Sequence, residues 1–284
     1  MNKVLVTGAL GFTGQHLVQY LNKDRDIQLY CIHRNLITEN PNGFSCNLAD
    51  EYSIYKLIEE IKPNQIYHLA GSFSNEYHTD YLNNVTSTRN ILESILKANI
   101  SCRVLLIGSA AEYGLVKDDE NHVKETHSLN PVSIYGLTKA YQSHMMNFYY
   151  HVHGMDIVMA RTFNLMGKGI SKKLFIGRVY QQIEEYKQGL IKKIILGDLS
   201  SYRDYISIEQ AIKSYQIIMN HGISGEVYNV GSGFPIRLDI LLEQILQEFN
   251  LNLDVVEIKG ISQPNKLNIR NIYADITKLQ SLAW

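Results

Sequence analysis

Hydrophobic and polar positions in the first part of the chain follow two alternating periods. Short apolar runs, typical of buried strands, are each followed by a stretch with the three-to-four-residue spacing of an amphipathic helix. Strands are predicted near 4–6, 27–34, 44–48, 65–69, 103–108 and 156–161, and helices over 12–21, 51–62, 80–99 and 133–153. Strands that alternate with helices predict an α/β fold, a doubly wound parallel sheet covered by helices on both faces.

The pattern changes after about residue 165, where segments become shorter and the strand–helix alternation breaks. Helices are predicted over 175–187 and 238–249, and strands at 194–196 and 253–258. We therefore expect a first domain over residues 1–165 and a smaller α/β C-terminal domain that takes up most of 166–284. Part of the later chain is expected to return to the first domain.

Composition narrows the classes of function. The chain has 284 residues and a net charge of −1, so no surface that would bind nucleic acid is expected. No run of about 18 apolar residues is present, and the N-terminus enters a strand directly, so neither a membrane span nor a signal peptide is predicted. Cys31, Cys46 and Cys102 lie in or beside apolar runs without metal-type spacing, which predicts reduced, buried thiols, no metal site and a cytoplasmic location.

A glycine-rich turn joins the first strand to the first helix. Gly8, Gly11 and Gly14 follow one another at intervals of three, around Phe12 and Thr13. Glycine permits a tight turn and lets backbone N–H groups approach a pyrophosphate at the positive end of a helix. The spacing differs by one residue from the usual dinucleotide fingerprint. The turn therefore predicts a dinucleotide site, with a tight turn that binds no ligand as the alternative.

This segment resembles the nucleotide loop of the extended short-chain dehydrogenase/reductases, the NAD-dependent epimerase/dehydratase family. The resemblance implies a Rossmann domain over 1–165, a sugar-nucleotide-binding domain mainly over 166–284, and a homodimer formed through the helices near 80–99 and 133–153. It implies that these residues bind the cofactor: Gly8, Gly11, Phe12, Thr13, Gly14, Arg34, Asn47, Leu48, Leu69, Ala70, Tyr135 and Lys139.

The end of the second strand indicates which dinucleotide binds. NAD-specific sites carry an acidic residue here that accepts from the ribose 2′-hydroxyl, whereas a nearby arginine suits a 2′-phosphate. This strand ends in His33 and Arg34, with no acid. We therefore predict NADP(H) rather than NAD(H), with Arg34 on the phosphate. The alternative is that Arg34 is only a solvated surface charge.

Three residues are candidates for catalysis. Ser109 follows the continuously apolar strand at 103–108, and Tyr135 and Lys139 stand four residues apart on a predicted helix. A lysine beside a phenol favours the phenolate and is expected to lower its pKa, so the tyrosine can exchange a proton with a carbonyl or alcohol. Serine followed by Tyr-x-x-x-Lys matches the catalytic set of the family in order.

The two residues after Ser109 indicate which of the family's reactions the chain can catalyse. Sugar-nucleotide 4,6-dehydratases carry acid–base side chains there, and epimerase–reductases of the fucose-synthase type carry a cysteine at the second position. This chain has Ala110 and Ala111, whose methyl groups cannot transfer protons. Ketone reduction or 4-epimerisation remains, since these need only the serine, tyrosine, lysine and nicotinamide.

The resemblance also implies a substrate site. Its predicted members are Ser109, Glu112, Asn164, Arg178, Arg203 and Arg270. The segments around Ser109, Asn164 and Arg203 look most like those of GDP-4-keto-6-deoxy-mannose reductases. We therefore expect NADPH-dependent reduction of the C4 ketone of a GDP-4-keto-6-deoxy hexose or heptose, in deoxy-sugar and polysaccharide biosynthesis. An NAD-dependent nucleotide-sugar 4-epimerase and a non-catalytic NADP-binding regulatory protein are the alternatives.

Overall fold

The computed structural model describes residues 1–34, 43–260 and 271–282. The first half of the chain alternates strands and helices. Its elements are β1 (Asn2–Thr7), α1 (Phe12–Leu21), β2 (Ile27–His33), β3 (Gly43–Ser45), α2 (Glu51–Ile61), β4 (Gln65–His68), α3 (Tyr77–Asp80), a π-helical turn (Tyr81–Thr86), α4 (Ser87–Ala98), β5 (Arg103–Ser109), α5 (Ile134–His153) and β6 (Ile157–Thr162).

The second half contains shorter elements. They are β7 (Asn164–Met166), α6 (Phe175–Lys187), β8 (Ile194–Leu196), β9 (Tyr202–Ser207), α7 (Ile208–His221), β10 (Val227–Val230), β11 (Pro235–Arg237), α8 (Leu238–Glu248), β12 (Val256–Ile258), β13 (Asn271–Ile272) and α9 (Thr277–Gln280). The predicted helix at 175–187 and strand at 194–196 have these same limits.

Seven strands form the main sheet, in the order β10-β6-β5-β4-β1-β2-β3, and every neighbouring pair is parallel. The strand order reverses beside β1, which pairs with β2 on one side and β4 on the other. In such sheets ligands bind outside the carboxyl ends of the strands, at the point of reversal. The doubly wound α/β fold predicted from the sequence is confirmed.

The later chain divides between two bodies. α7 and β10 return to the main sheet, where β10 pairs with β6. A smaller sheet contains β11, β9, β13 and β7, and β8 pairs with β12. Buried apolar side chains of α6 and α8, Ile176, Val179, Ile183, Leu242 and Ile245 among them, form a separate core beneath these strands.

Three predicted elements differ from the structure. The third strand ends at Ser45, so Asn47 and Leu48 lie in the turn that follows. The helix predicted over 80–99 is interrupted by the π-helical turn, where the hydroxyls of Ser87 and Thr88 donate to carbonyls four residues back; such bonds compete with the regular helix ladder. In the strand predicted at 253–258, only Val256–Ile258 is extended, and a tight turn precedes it.

Among the described residues, no helix has both the length and the apolar character needed to cross a bilayer. Cys31, Cys46 and Cys102 are all buried. Within the same residues, His, Cys, Asp and Glu side chains do not gather in any group of three that could hold a metal ion.

Candidate active site and cofactor cleft

The turn between β1 and α1 requires glycine for two separate reasons. Gly8 has a φ of +67°, and a Cβ there would lie 2.8 Å from the backbone of Ala70. A Cβ on Gly14 would lie 2.2 Å from the carbonyl oxygen of Gly8. Gly8 therefore adopts a left-handed conformation where its backbone packs against Ala70, just after β4. Gly14 lets α1 pack close to the turn. The N-terminus of α1 consequently faces the carboxyl edge of the sheet, where a phosphate is stabilised.

A cleft of about 250 Å³ opens at this edge. It brings together seven of the residues predicted to bind the cofactor: Gly8, Gly11, Arg34, Asn47, Leu48, Leu69 and Ala70. It is also lined by residues that the sequence reasoning missed: Ile32, His33, Cys46, Ala49, Gly71, Asn83 and Ser87. Phe12, Thr13 and Gly14 lie at the start of α1, next to this cleft rather than in its lining.

The β2 end of the cleft carries a positive charge. The Arg34 guanidinium is exposed and donates a hydrogen bond of 2.5 Å to the Asn83 side-chain oxygen, in the π-helical turn. Asn83 in turn donates to the hydroxyl of Ser72. None of the described residues that line the cleft is acidic. The Arg34 side chain therefore connects the end of β2 to the π-helical turn. No local sequence pattern revealed this contact.

A buried chain of hydrogen bonds holds the turn after β4. His68 contacts the hydroxyls of Thr7 at 2.8 Å and Thr88 at 3.0 Å. Because the Thr88 hydroxyl donates to the carbonyl of Asn84, it must accept from Nε2–H of His68. Thr7 then donates to Nδ1 and accepts from the N–H of Ala70. Burial lowers the pKa of His68 to about 3, so this histidine is neutral and acts as a structural link.

The three candidate catalytic residues meet at the ends of β5 and α5. The Ser109 hydroxyl lies close enough to the Tyr135 phenol to lower the pKa of that phenol. The Lys139 Nζ donates to the carbonyl of Ile107 at 2.8 Å and lies 5.9 Å from the centre of the Tyr135 ring. Ser133 caps the N-terminus of α5 by accepting from the N–H of Gly136, which fixes the start of the helix that carries both residues.

The expected lowering of the Tyr135 pKa by Lys139 is wrong for this structure. Burial raises the pKa of Tyr135 to about 12, although the nearby Ser109 hydroxyl acts in the opposite direction. Burial also lowers the pKa of Lys139 to about 8, while the charges of Glu112 and Asp80 oppose that shift. Desolvation therefore exceeds the influence of a lysine almost 6 Å from the ring. At neutral pH, Tyr135 is a protonated phenol.

Glu112 does not occupy the position expected of a substrate ligand. Its side chain is fully buried and forms an ion pair with Arg161 of β6, with Nη2 and Oε2 3.0 Å apart. Its other oxygen, Oε1, accepts from the N–H of Ser109 at 2.7 Å, and the Ser143 hydroxyl donates to Oε2. The carboxylate therefore fixes the backbone at Ser109 from inside the protein and is closed to a substrate.

The segment after β4 covers Tyr135. Phe73 packs its ring edge-to-face on Tyr135, with 4.9 Å between ring centres. The buried carboxylate of Asp80 holds this segment by accepting from Ser72, from both the N–H and hydroxyl of Ser74, and from the N–H of Asn75. Burial alone would raise the pKa of Asp80, but these hydrogen bonds lower it. Asp80 therefore supports one wall of the site in its ionised form.

The remaining substrate candidates lie in or beside the smaller body. Asn164 begins β7 and donates to the carbonyl of Asp204. Arg203 is partly buried on β9, and burial lowers its pKa. Arg178 is exposed on α6, and the prediction for Arg270 lies outside the described residues. The structure thus keeps these side chains on separate elements of the smaller body rather than in the cofactor cleft.

Asp204, which the sequence reasoning did not single out, anchors the edge of the smaller body. Its fully buried carboxylate accepts from the N–H groups of Ser232, Gly233 and Ala274, and from the Ser232 hydroxyl. Its neighbour Arg203 is therefore held on a rigid strand.

The cleft fits a nicotinamide dinucleotide. The close approach of Gly8, Ala70 and Gly14 leaves no room for side chains, so only backbone faces this part of the cleft. His33 has a buried Nδ1 without a hydrogen-bond partner at the β2 end. Glycine-lined backbone, a helix N-terminus and a cationic β2 end match a pyrophosphate and a substituted ribose. Gly8 and Gly11 would hold the pyrophosphate, and Tyr135 and Lys139 would face the nicotinamide end.

Comparison with known proteins agrees with this geometry. The sequence model of the NAD dependent epimerase/dehydratase family matches residues 4–231. The chain is 29% identical over 273 residues to GDP-6-deoxy-D-talose 4-dehydrogenase of Aggregatibacter actinomycetemcomitans, covering 95% of this chain and 85% of that protein. It is 27% identical over 262 residues to GDP-6-deoxy-D-mannose reductase of Pseudomonas aeruginosa, covering 90% and 83%.

Solved structures share the fold. RMD from Pseudomonas aeruginosa in complex with NADPH superimposes with a TM-score of 0.85 at 24% identity, covering 99% of this chain and 91% of that one. UDP-glucose 4-epimerase from Thermotoga maritima with UDP-glucose gives a TM-score of 0.87 at 23% identity, covering 99% and 93%. Because the matched family model spans the glycine turn, the three candidate catalytic residues and β10, the chain belongs to the NAD-dependent epimerase/dehydratase family of enzymes.

Proposed function

We propose that the protein is an NADPH-dependent reductase of the C4 ketone of a nucleotide-linked 4-keto-6-deoxy sugar, with a GDP-linked hexose or heptose as substrate. The observation that carries this proposal is the meeting of Ser109, Tyr135 and Lys139 at the ends of β5 and α5, with Ala110 and Ala111 directly after the serine. This set can donate a proton to a ketone oxygen, and the two alanines supply no group for dehydration or for epimerisation at C3 or C5.

The protonation state of Tyr135 suits the role of a proton donor. A phenol with a pKa of about 12 keeps its proton at neutral pH, which is the form needed to protonate an alkoxide. In the proposed reaction Ser109 orients the ketone oxygen by donating a hydrogen bond, and Tyr135 transfers its proton to that oxygen. A bound reduced nicotinamide supplies the hydride. Lys139 keeps its positive charge near the Tyr135 phenol while the phenol gives up its proton.

The substrate is proposed to lie between the two bodies of the fold. Asn164, Arg178 and Arg203 belong to the smaller body, and guanidinium groups suit a nucleotide diphosphate because they donate bidentate hydrogen bonds. We include Arg270 in this set on the family resemblance. Residues 1–165 with the returning segment 208–230 would then bind the cofactor, and the rest of 166–284 the sugar nucleotide. Two related proteins are named for GDP-6-deoxy sugars, which supports GDP as the nucleotide.

The proposal includes NADP(H) as cofactor and a homodimer as the working unit. Arg34, and the lack of an acidic side chain among the described residues that line the cleft, support the first. Apolar side chains exposed on α3, α5 and the π-helical turn support the second, because the family resemblance implies that the helices near 80–99 and 133–153 pair between subunits. They are Tyr77, Tyr81, Phe148 and Val152.

A direct assay tests the proposal. NADPH absorbance at 340 nm would be followed with GDP-, dTDP-, UDP- and CDP-linked 4-keto-6-deoxy sugars, each generated in place by the matching 4,6-dehydratase. We expect oxidation of NADPH with the GDP-linked sugar, slowed by about a hundredfold or more in Tyr135→Phe. Absence of oxidation with every sugar, together with NAD retained through purification, would instead assign a 4-epimerase.

A further inference from the structure

Phe73 presents an exposed aromatic ring beside the proposed proton donor. Its side chain is 41% exposed, although an apolar ring of this size stabilises a fold most when it is buried. The ring packs edge-to-face on Tyr135, with 4.9 Å between ring centres and 87° between ring planes. Single exposed apolar side chains are common on protein surfaces, so exposure alone indicates nothing. The contact with Tyr135 places the open part of this ring where a molecule that reacts at the phenol would lie.

Two buried polar side chains hold the backbone on both sides of this ring. Asn84 accepts from the N–H of Ser72 at 2.8 Å and donates to the carbonyl of the same residue at 3.0 Å. Asp80 accepts from the N–H and the hydroxyl of Ser74. Both Asn84 and Asp80 are fully buried. Phe73 is therefore an exposed ring on a rigid segment, which is the arrangement that a preformed binding surface requires.

Asn84 also fixes this segment relative to α5. Its Nδ2 donates to the hydroxyl of Thr138 at 2.9 Å, and that hydroxyl donates to the carbonyl of Tyr135. The separation of Phe73 and Tyr135 is therefore set by hydrogen bonds between their backbones' supports as well as by the contact of the rings. A substrate whose ketone oxygen meets the Tyr135 phenol would find the Phe73 ring in a defined position.

The chemistry of the proposed substrate identifies the part that meets this ring. The reacting atom C4 is bonded to C3 and C5, so the substituents of these two atoms lie beside the phenol that protonates O4. In the proposed substrate C3 carries a hydroxyl group, which needs a hydrogen-bond partner, whereas C5 carries C6. C6 is a methyl group in a 6-deoxy hexose and a methylene in a 6-deoxy heptose. In both sugars C6 is apolar and gains from contact with an aromatic ring.

We propose that Phe73 is a specificity-determining residue, which contacts C6 of the sugar and selects 6-deoxy sugars over sugars that carry a C6 hydroxyl. This inference rests on the proposed function, because it takes a nucleotide-linked 6-deoxy sugar as the substrate. A C6 hydroxyl against the ring would lose water without gaining a hydrogen bond from Phe73. Apolar pockets reject an added hydroxyl by about a hundredfold at most, and for a half-exposed ring we expect about tenfold.

Calorimetric titration of the protein saturated with NADPH measures this preference. The ligands are the alcohol products and their C6-hydroxylated counterparts, GDP-6-deoxy-D-mannose with GDP-D-mannose, and GDP-6-deoxy-D-talose with GDP-D-talose. The members of each pair differ only at C6, and the two pairs cover both configurations at C4. No hydride is transferred in these complexes, because the cofactor and the sugar are both in the reduced form. In the pair that binds more tightly, we expect the 6-deoxy member to bind the wild type about tenfold more tightly than its counterpart.

Phe73→Ser and Phe73→Leu are the matched variants. Serine offers a hydroxyl in place of the ring, so we expect the preference for the 6-deoxy sugar to fall below about twofold. Leucine keeps an apolar side chain at this position and should keep most of the preference. GDP alone should bind all three proteins with the same affinity, because the ring is assigned to the sugar rather than to the nucleotide. The melting temperature shows whether each variant keeps its fold.

The outcomes separate this inference from the proposed function. Equal affinity for the two members of each pair in the wild type would overturn the inference without any variant and leave the reductase proposal standing. A preference that persists in Phe73→Ser would also overturn it. So would a loss of affinity that is the same for both members of a pair, since the ring would then only cover Tyr135. If neither GDP nor any of these GDP sugars bound, the proposed substrate class would fall, and this inference with it.

Discussion

The carboxylate of Glu112 and the guanidinium of Arg161 form an ion pair inside the protein, with Oε2 and Nη2 3.0 Å apart. Both side chains are almost fully inaccessible. The hydroxyl of Tyr113 accepts from the same guanidinium and donates to Asn229 of β10. The pair therefore links the turn that carries Ser109 to three strands of the main sheet, and its effect on catalysis is through position rather than contact with substrate.

Removing one charge of this pair should strongly destabilise the protein. Glu112→Gln keeps the shape of the side chain but leaves Arg161 charged and buried without a counter-charge. We expect the free energy of unfolding to fall by about 3–5 kcal/mol, measured by urea denaturation. Asp239→Asn, in an exposed pair with Arg237, is the control and should change it by less than about 1 kcal/mol. Similar losses in both variants would contradict a special role for the buried pair.

Tyr135→Phe should remove the chemistry and preserve the fold. Phenylalanine keeps the ring that packs against Phe73 but cannot give a proton to a ketone oxygen. We expect kcat to fall by about 10²–10⁴-fold with little change in NADPH affinity or melting temperature. Tyr52→Phe, at an exposed tyrosine of α2, is the control and should retain full activity. Retained turnover in Tyr135→Phe would show that another group protonates the product.

The pH profile should reflect Lys139 rather than Tyr135. The pKa of Lys139 is lowered to about 8, so the lysine loses its positive charge as pH rises through that value, whereas Tyr135 keeps its proton up to about 12. We expect kcat/KM for the cofactor, which reports the free enzyme, to decline above about pH 8. In Lys139→Arg the decline should move to higher pH, whatever the remaining activity. An unchanged profile in this variant would assign the ionisation to another group.

Asp80 should control the wall that Phe73 forms. Asp80→Ala leaves the donors on Ser72, Ser74 and Asn75 without their acceptor. We expect the free energy of unfolding to fall by about 1–3 kcal/mol and kcat to fall about tenfold, as Phe73 loses its fixed contact with Tyr135.

Glu76→Ala provides the control for Asp80→Ala in the same segment. Glu76 caps α3 by accepting from the N–H groups of His78 and Thr79 and is exposed. Loss of this cap should reduce stability by about 1 kcal/mol while kcat stays unchanged. If both variants lowered kcat equally, stability of the segment as a whole would explain the effect, and a specific role of Asp80 would be wrong.

Local order was readable from the sequence because it depends on residues close in the chain. Apolar periodicity predicted β1 to β6 of the main sheet and the helices between them, and the limits of α6 and β8 follow directly from it. The glycine turn follows from backbone sterics, since only glycine tolerates φ of +67° at Gly8 against Ala70. The four-residue spacing of Tyr135 and Lys139 places both on one face of α5, wherever that helix packs.

Tertiary structure alone decided properties that depend on distant partners and on loss of water. Glu112 meets an arginine 49 residues away, and Arg34 meets an asparagine 49 residues away, so no local pattern shows either contact. The return of β10 to the edge of the main sheet is likewise a long-range pairing. Burial set the pKa of Tyr135 in the direction opposite to that expected from its neighbour, because desolvation reflects the packing of the whole site around the phenol, and the sequence records only which residues are near it in the chain.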